Sequence, residues 1–175
     1  MVIISNATPL IAFAKIGQLA LLQKIVTNLV ILKAVADEIS IYPQGQRGFI
    51  HLQQETWIGV QSITSEQQVS LLLPKLDRGE AEVIALALER QAQLVLIDEL
   101  TARKVAESLN LNVSGSVGIL IRAKQVGEIV AMKPLLDAMT HQGIYSGSQI
   151  SGVHSTSALC PLPSALKPTT LYLSK

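Results

Sequence analysis

The residues of this chain that could do chemistry are oxygen donors set at the ends of apolar runs. Asn6 follows the run at 2–5, Asp98 and Glu99 follow the run at 94–97, and Ser114 and Ser116 follow Val113. Glu80 stands where an apolar-periodic helix begins, and Glu38 near the end of an earlier one. In an open α/β sheet, ligands collect beyond the carboxyl ends of the strands. Like-charged carboxylates repel as they lose solvent, so a converging group is usually kept for a divalent cation with oxygen ligands, Mg²⁺ or Mn²⁺.

Each residue also has a plainer role open to it. Asp77 and Glu80 have the D-x-x-E spacing of a capping box. Asp98 can be the N-cap of the helix after it. Glu38, beside Asp37, can belong to a solvated face. Asn6 can close an Asx-turn before Thr8. On that reading the protein is a small α/β interaction protein whose acids only finish its helices.

The elements that would position these side chains are legible from periodicity. Residues 2–5 read as a short strand, with Thr8 predicted to cap a helix that Pro9 opens. Gly17 breaks that helix, and Leu19, Leu22, Ile25 and Val26 have the spacing of a second. A strand is predicted at 29–32, a helix at 34–40, a Pro- and Gly-containing loop at 42–48 and a strand at 57–63. The clearest helix opens at Asp77. Its Ala81, Ile84, Ala85 and Leu88 recur at i, i+3, i+4 and i+7, and Val83, Leu86 and Ala87 widen the face. A strand at 94–97, a helix at 100–109, a brief strand at Val113 and helices at 117–124 and 132–140 complete the series. This alternation predicts an α/β domain with a mostly parallel sheet. No internal repeat is visible.

Composition narrows the functional classes. The chain has 175 residues, 49% of them apolar and 15% charged. That supports one well-filled domain and excludes a disordered chain. Fourteen Lys and Arg against thirteen Asp and Glu give a net charge of +1. A uniformly basic coat for nucleic acid is therefore absent, and any such contact needs a local patch. The single cysteine, Cys160, excludes a disulfide framework and a Cys-rich metal knuckle. The opening residues lack the basic start of a secretory signal, and no segment offers the ~20 apolar residues of a membrane span. A cytoplasmic protein without a membrane anchor is the expectation. From Ser146 onward the chain holds seven Ser, three Thr and three Pro in thirty residues, and no acid. This composition sets a domain at 1–145 apart from an extension at 146–175 of unassigned role.

Taken in order, several of these segments resemble the PIN-domain family. Val2-Ile3-Ile4-Ser5-Asn6-Ala7-Thr8-Pro9-Leu10-Ile11 is similar to its opening strand and turn, and Ala34-Val35-Ala36-Asp37-Glu38-Ile39 to its early Glu-bearing helix. Gly79-Glu80-Ala81-Glu82-Val83-Ile84 is similar to its central acidic helix. Leu94-Val95-Leu96-Ile97-Asp98-Glu99, then Ala102-Arg103 and Val113-Ser114-Gly115-Ser116-Val117-Gly118, complete the pattern. The nearest subgroup is one of small prokaryotic PIN-like proteins described as predicted nucleic-acid-binding.

The resemblance implies a Rossmann-like PIN fold whose acidic pocket binds Mg²⁺ or Mn²⁺ and hydrolyses phosphodiester bonds, usually in RNA. It also implies a homodimer and the toxin half of a toxin–antitoxin pair with a small antitoxin partner. Carried over by position, the metal pocket comprises Asn6, Glu38, Glu80 and Asp98, with Glu99 as a further acid. Glu38, Glu80 and Asp98 are the catalytic candidates. Thr8 and Ser116 are hydroxyl neighbours, and Arg103, Arg122 and Lys124 are candidates for holding the phosphate backbone. Such a cation would lower the pKa of a bound water and neutralise the leaving oxygen. One position departs from the family: Asn6 stands where active members usually carry Asp. An amide oxygen can ligate a hard cation but adds no negative charge. The alternative expectation is thus a catalytically weakened PIN-like module that binds nucleic acid or regulates.

Overall fold

The structure is a computed structural model in which residues 2–145 are described. Five strands form one sheet: β1 (Ile3–Ser5), β2 (Leu29–Leu32), β3 (Ile58–Gln61), β4 (Leu94–Leu96) and β5 (Val113–Ser114). All neighbours pair in parallel, in the order β3-β2-β1-β4-β5. Parallel strands need covered faces and crossover connections. The helices supply both. α1 (Ala7–Lys15), α2 (Leu19–Val26) and α3 (Lys33–Ile39) share one face with α7 (Ser116–Gln125) and α8 (Lys133–His141). α4 (Glu66–Leu72), α5 (Arg78–Glu89) and α6 (Leu100–Ser108) pack together on the other. The predicted α/β architecture is what forms, and its sheet is wholly parallel.

Scarce aromatics leave the core to aliphatic residues. β1 and β4 are buried along their whole length, as expected for strands covered on both faces. α5 buries Ala81, Val83, Ile84, Ala85, Leu86 and Ala87 against β1 and β2, so the broad apolar face read from sequence marks the most enclosed helix. The strand order reverses between β1 and β4, where connections leave in opposite directions. Ser5 there pairs with Leu96, so Asn6 and Asp98 flank the crevice where α/β folds take ligands.

Three local expectations are corrected. Asn6, not Thr8, is the N-cap of α1, its Oδ1 accepting from the Ala7 N–H at 2.8 Å. Pro9 is the third residue of α1, where its missing N–H is still one the helix could not pair. The strand at 57–63 is shorter, Ile58–Gln61. A whole helix, α4, went unread. It is capped by Ser65 and buries only Val69, so it shows no apolar period. What fixes it is polar: the Glu89 carboxylate at the end of α5 accepts from the Thr64 and Ser65 N–H groups and the Thr64 hydroxyl.

Close approach governs α7. A Cβ at Gly118 would overlap the Oγ of Ser114, a buried residue of β5. We expect Gly118→Ala to be destabilising. Overpacking costs about 1–3 kcal/mol, against a helix-propensity gain of about 1 kcal/mol. Adding Ser114→Ala removes the obstructing atom and should recover most of the urea midpoint. A double variant no more stable than Gly118→Ala alone would refute this account.

Candidate functional site

β4 ends by delivering Asp98 to the carboxyl edge, and Asp98 is the centre of what assembles there. Its Oδ1 accepts from the Ser116 N–H at 2.7 Å and from the Tyr145 hydroxyl at 2.9 Å, while its Oδ2 accepts from the Ser116 hydroxyl at 2.6 Å. The reason lies in the next strand connection. The N-cap of α7 is Gly115, which has no side chain to offer the first free N–H, and Asp98 substitutes for it from eighteen residues away. A Cβ on Gly115 would stand 2.5 Å from Asp98 Oδ1 and 3.2 Å from an Arg103 guanidinium nitrogen. Asp98 and Arg103 therefore press against the same glycine. The reading of Asp98 as cap of its own following helix is corrected: Glu99 caps α6, accepting from the Ala102 N–H at 2.6 Å.

The acids around this centre hold local roles. Glu80 forms the full capping box with Asp77: the Glu80 N–H donates to Asp77 Oδ1 at 2.8 Å, and the Asp77 N–H donates to Glu80 Oε2 at 3.3 Å. Partial burial, followed by the charges of Asp77 and Glu99, pushes the Glu80 carboxyl above the usual range, against the pull of the Asp77 amide. Burial also opposes charge on Glu99, but the amides of Thr101, Ala102 and Leu100 and the Thr101 hydroxyl outweigh it and hold its carboxyl low. Glu38 is exposed on α3, and its neighbour Asp37 pairs with Lys33 one turn back.

The sequence candidates thus divide. Asp98, Ser116 and Arg103 come together at the carboxyl edge, and Glu80 lies near enough to Glu99 for their charges to repel. Asn6 stands beside them, its N–H bonded to the Leu96 carbonyl and its side chain turned to Ala7. Thr8 is exposed on the first turn of α1. Arg122 and Lys124 fall near the far end of α7, about 9 and 12 Å along its axis from Ser116 at the usual helical rise. Tyr145 is the participant that sequence reading missed. It closes the described chain, forty-seven residues from Asp98, and no spacing signals the pair.

Every donor here is oxygen, the right kind for a hard cation. The placement is not right for one. Among the described residues no group of three or more His, Cys, Asp and Glu stands close enough to hold a metal ion. Both Asp98 oxygens are taken by hydrogen-bond donors, and Asn6 brings no charge. As the side chains lie, they do not fit Mg²⁺ or Mn²⁺.

A family model described as a PIN domain matches residues 2–154, most of the chain. The chain belongs to the PIN-domain family. No curated protein matches it. The family's fold is of nuclease type and is associated with nucleic-acid interaction, and PIN domains generally use divalent metal ions. In this PIN domain the match runs past 145, where composition placed the domain's end. The extension predicted at 146–175 and Cys160 lie outside the described residues. Among the described residues no helix is long and apolar enough to cross a membrane.

Two measurements probe the site. Burial, and then the Asp98 charge, drive the Tyr145 hydroxyl far above its ordinary range. The folded protein therefore keeps this proton where the unfolded chain loses it. The stability it confers is full below the ordinary tyrosine range of about 10 and declines as pH rises beyond it. We expect Tyr145→Phe to cost about 1.5–3 kcal/mol at neutral pH, as for hydrogen bonds to charged groups. The loss should shrink at alkaline pH; one that is constant from pH 8 to 11 would contradict the contact. For Glu80 the raised carboxyl means that stability present in acid is lost as pH rises through its folded value. Glu80→Gln keeps the capping acceptor and removes the charge. It should melt slightly higher than the parent at pH 7, by less than about 1 kcal/mol because the group is largely solvated. The two should converge in acid.

Proposed function

We propose that this PIN domain is a nucleic-acid-binding or regulatory module, directed to RNA, whose hydrolytic centre is weakened. The state of Asp98 carries this reading. Its two oxygens accept three hydrogen bonds from Ser116 and Tyr145, so the central acid of the carboxyl edge serves to hold α7 and the segment after α8 in place. Asn6 at the neighbouring strand end supports the same reading, since it contributes a helix cap and no charge. Binding falls to the groups that remain. The Arg103 guanidinium beside Asp98 suits a phosphate oxygen, and the exposed Thr8 hydroxyl is available as a donor.

A second reading is a metal-dependent ribonuclease, with Glu38, Glu80 and Asp98 as its acids and Asn6 and Glu99 as further ligands. Its support is the electrostatic crowding of Glu80 by Asp77 and Glu99, which a cation would relieve. A toxin role with a small antitoxin, a homodimer and a cytoplasmic location belong with that reading.

One assay separates them. The purified protein is incubated with single-stranded RNA in Mn²⁺ or in EDTA, with binding followed by anisotropy. We expect RNA binding, cleavage near background, and a gain of at least about tenfold in Mn²⁺-dependent cleavage for Asn6→Asp, the rate equivalent of about 1.4 kcal/mol. Strong native cleavage in Mn²⁺ that Glu80→Ala and Asp98→Ala abolish would establish the ribonuclease instead.

A further inference from the structure

A second concavity lies at the other end of α1, away from Asn6 and Asp98. Lys15 in the last turn of α1, Arg47 from the loop after α3, and His141 and Gln142 at the end of α8 surround a cavity of ≈530 Å³ floored partly by Ala14 and Ala138. Among the described residues no carboxylate lines it. The ion pairs of the described residues engage Lys24, Lys33, Arg78 and Lys133, and neither Lys15, Arg47 nor His141 takes part in one.

Helix ends account for only part of this. A cation in a last turn answers the partial negative charge of the helix C-terminus, which explains Lys15 and gives His141 a place. It does not explain Arg47, which arrives from a separate loop. That loop is held against Lys15 by a close approach. Gly48 has φ +96°, and a Cβ there would meet the Tyr42 ring at 3.0 Å and Lys15 Cγ at 3.3 Å. The Lys15 ammonium in turn lies 5.6 Å from the centre of the Tyr42 ring. The fold thus brings a guanidinium, an ammonium and an imidazole into one concavity, with nothing acidic among them. Cationic residues lining one concavity without an acid give it a positive potential, which favours an anion.

We propose that this cavity is a phosphate-binding site, with Lys15 and Arg47 neutralising the anion and His141 and Gln142 as hydrogen-bond donors. A guanidinium fork and an ammonium on the wall of one concavity suit phosphate oxygens. The space is that of a small-molecule pocket, ample for a phosphate with its attached sugar. The phosphate comes either from an RNA backbone or from a free phosphate ester. The site stands apart from the Asp98 edge and does not depend on the function proposed for it.

The test uses the full chain and has two arms. Inorganic phosphate is titrated while the His141 imidazole resonance is followed, assigned with His141→Gln. Single-stranded RNA is bound by anisotropy at several salt concentrations. Both arms are repeated in Lys15→Gln/Arg47→Gln, which keeps the side-chain stems, and in Arg103→Ala at the Asp98 edge. Saturable phosphate binding that moves His141 and weakens at least tenfold in the double variant, but not in Arg103→Ala, is expected. RNA affinity in the double variant should fall, with the salt slope shallower by about 0.7 per lost phosphate contact. If phosphate binds so and RNA does not bind, the site serves a free phosphate ester and the RNA reading of the Asp98 edge fails alone. If phosphate leaves His141 unmoved, or binds the double variant equally well, the proposal is overturned whether or not RNA binds.

Discussion

The carboxylate of Asp98 is the point on which the carboxyl edge depends. It follows β4 by two residues, supplies the cap that Gly115 cannot give to α7, and receives the hydroxyl of Tyr145. Hydrogen bonds to a charged group contribute about 1.5–3 kcal/mol each, more than neutral ones, so three on one side chain form a strong tether. The tether also sets its own sequence requirements. Ser116 must offer both an N–H and a hydroxyl, and Gly115 must lack a Cβ that would intrude on Asp98.

The same tether decides what the edge can do. An acid is available to a cation only when it can leave its donors, and here that means giving up Ser116 and Tyr145 together. With Asn6 in place of an acid there is less charge to drive that exchange. Glu80 and Glu99 are likewise turned to backbone amides, in a capping box and an N-cap. Fold maintenance and cation binding therefore compete for the same oxygens, and in the described arrangement fold maintenance holds them.

Where one element's period carried the information, the sequence was readable. α5 shows its buried face in its spacing, and β4 announces itself as a short apolar run before two acids. α4 does not, because Val69 alone is buried and Glu89 holds its entry by polar bonds from another helix. Thr8 looked like the α1 cap because Pro9 follows it, although proline is tolerated anywhere in the unpaired first turn. The D-x-x-E box was legible as one of two readings, and the structure forms it. The Asp98–Ser116 pair required knowing that β4 and β5 are neighbours. The Asp98–Tyr145 pair required knowing where the chain returns after α8, which no local pattern encodes.

The near-neutral net charge conceals a polarity that follows from one helix. α1 is capped by Asn6, beside the Asp98 edge, and ends at Lys15, about 14 Å away at the helical rise. Among the described residues, acids gather at its beginning and basic groups outside the ion pairs at its end. A polyanion approaching the acidic edge meets repulsion from Glu80 and Glu99, softened by Arg103. Approaching the other end, it meets Lys15 and Arg47 with no carboxylate between them. Separation over this distance exceeds the ≈8 Å Debye length at physiological ionic strength, so the two ends act on a ligand nearly independently. If the basic end binds phosphate as proposed, its attraction adds to the contacts proposed for Arg103 and Thr8, and the acidic edge discriminates among what is brought within reach.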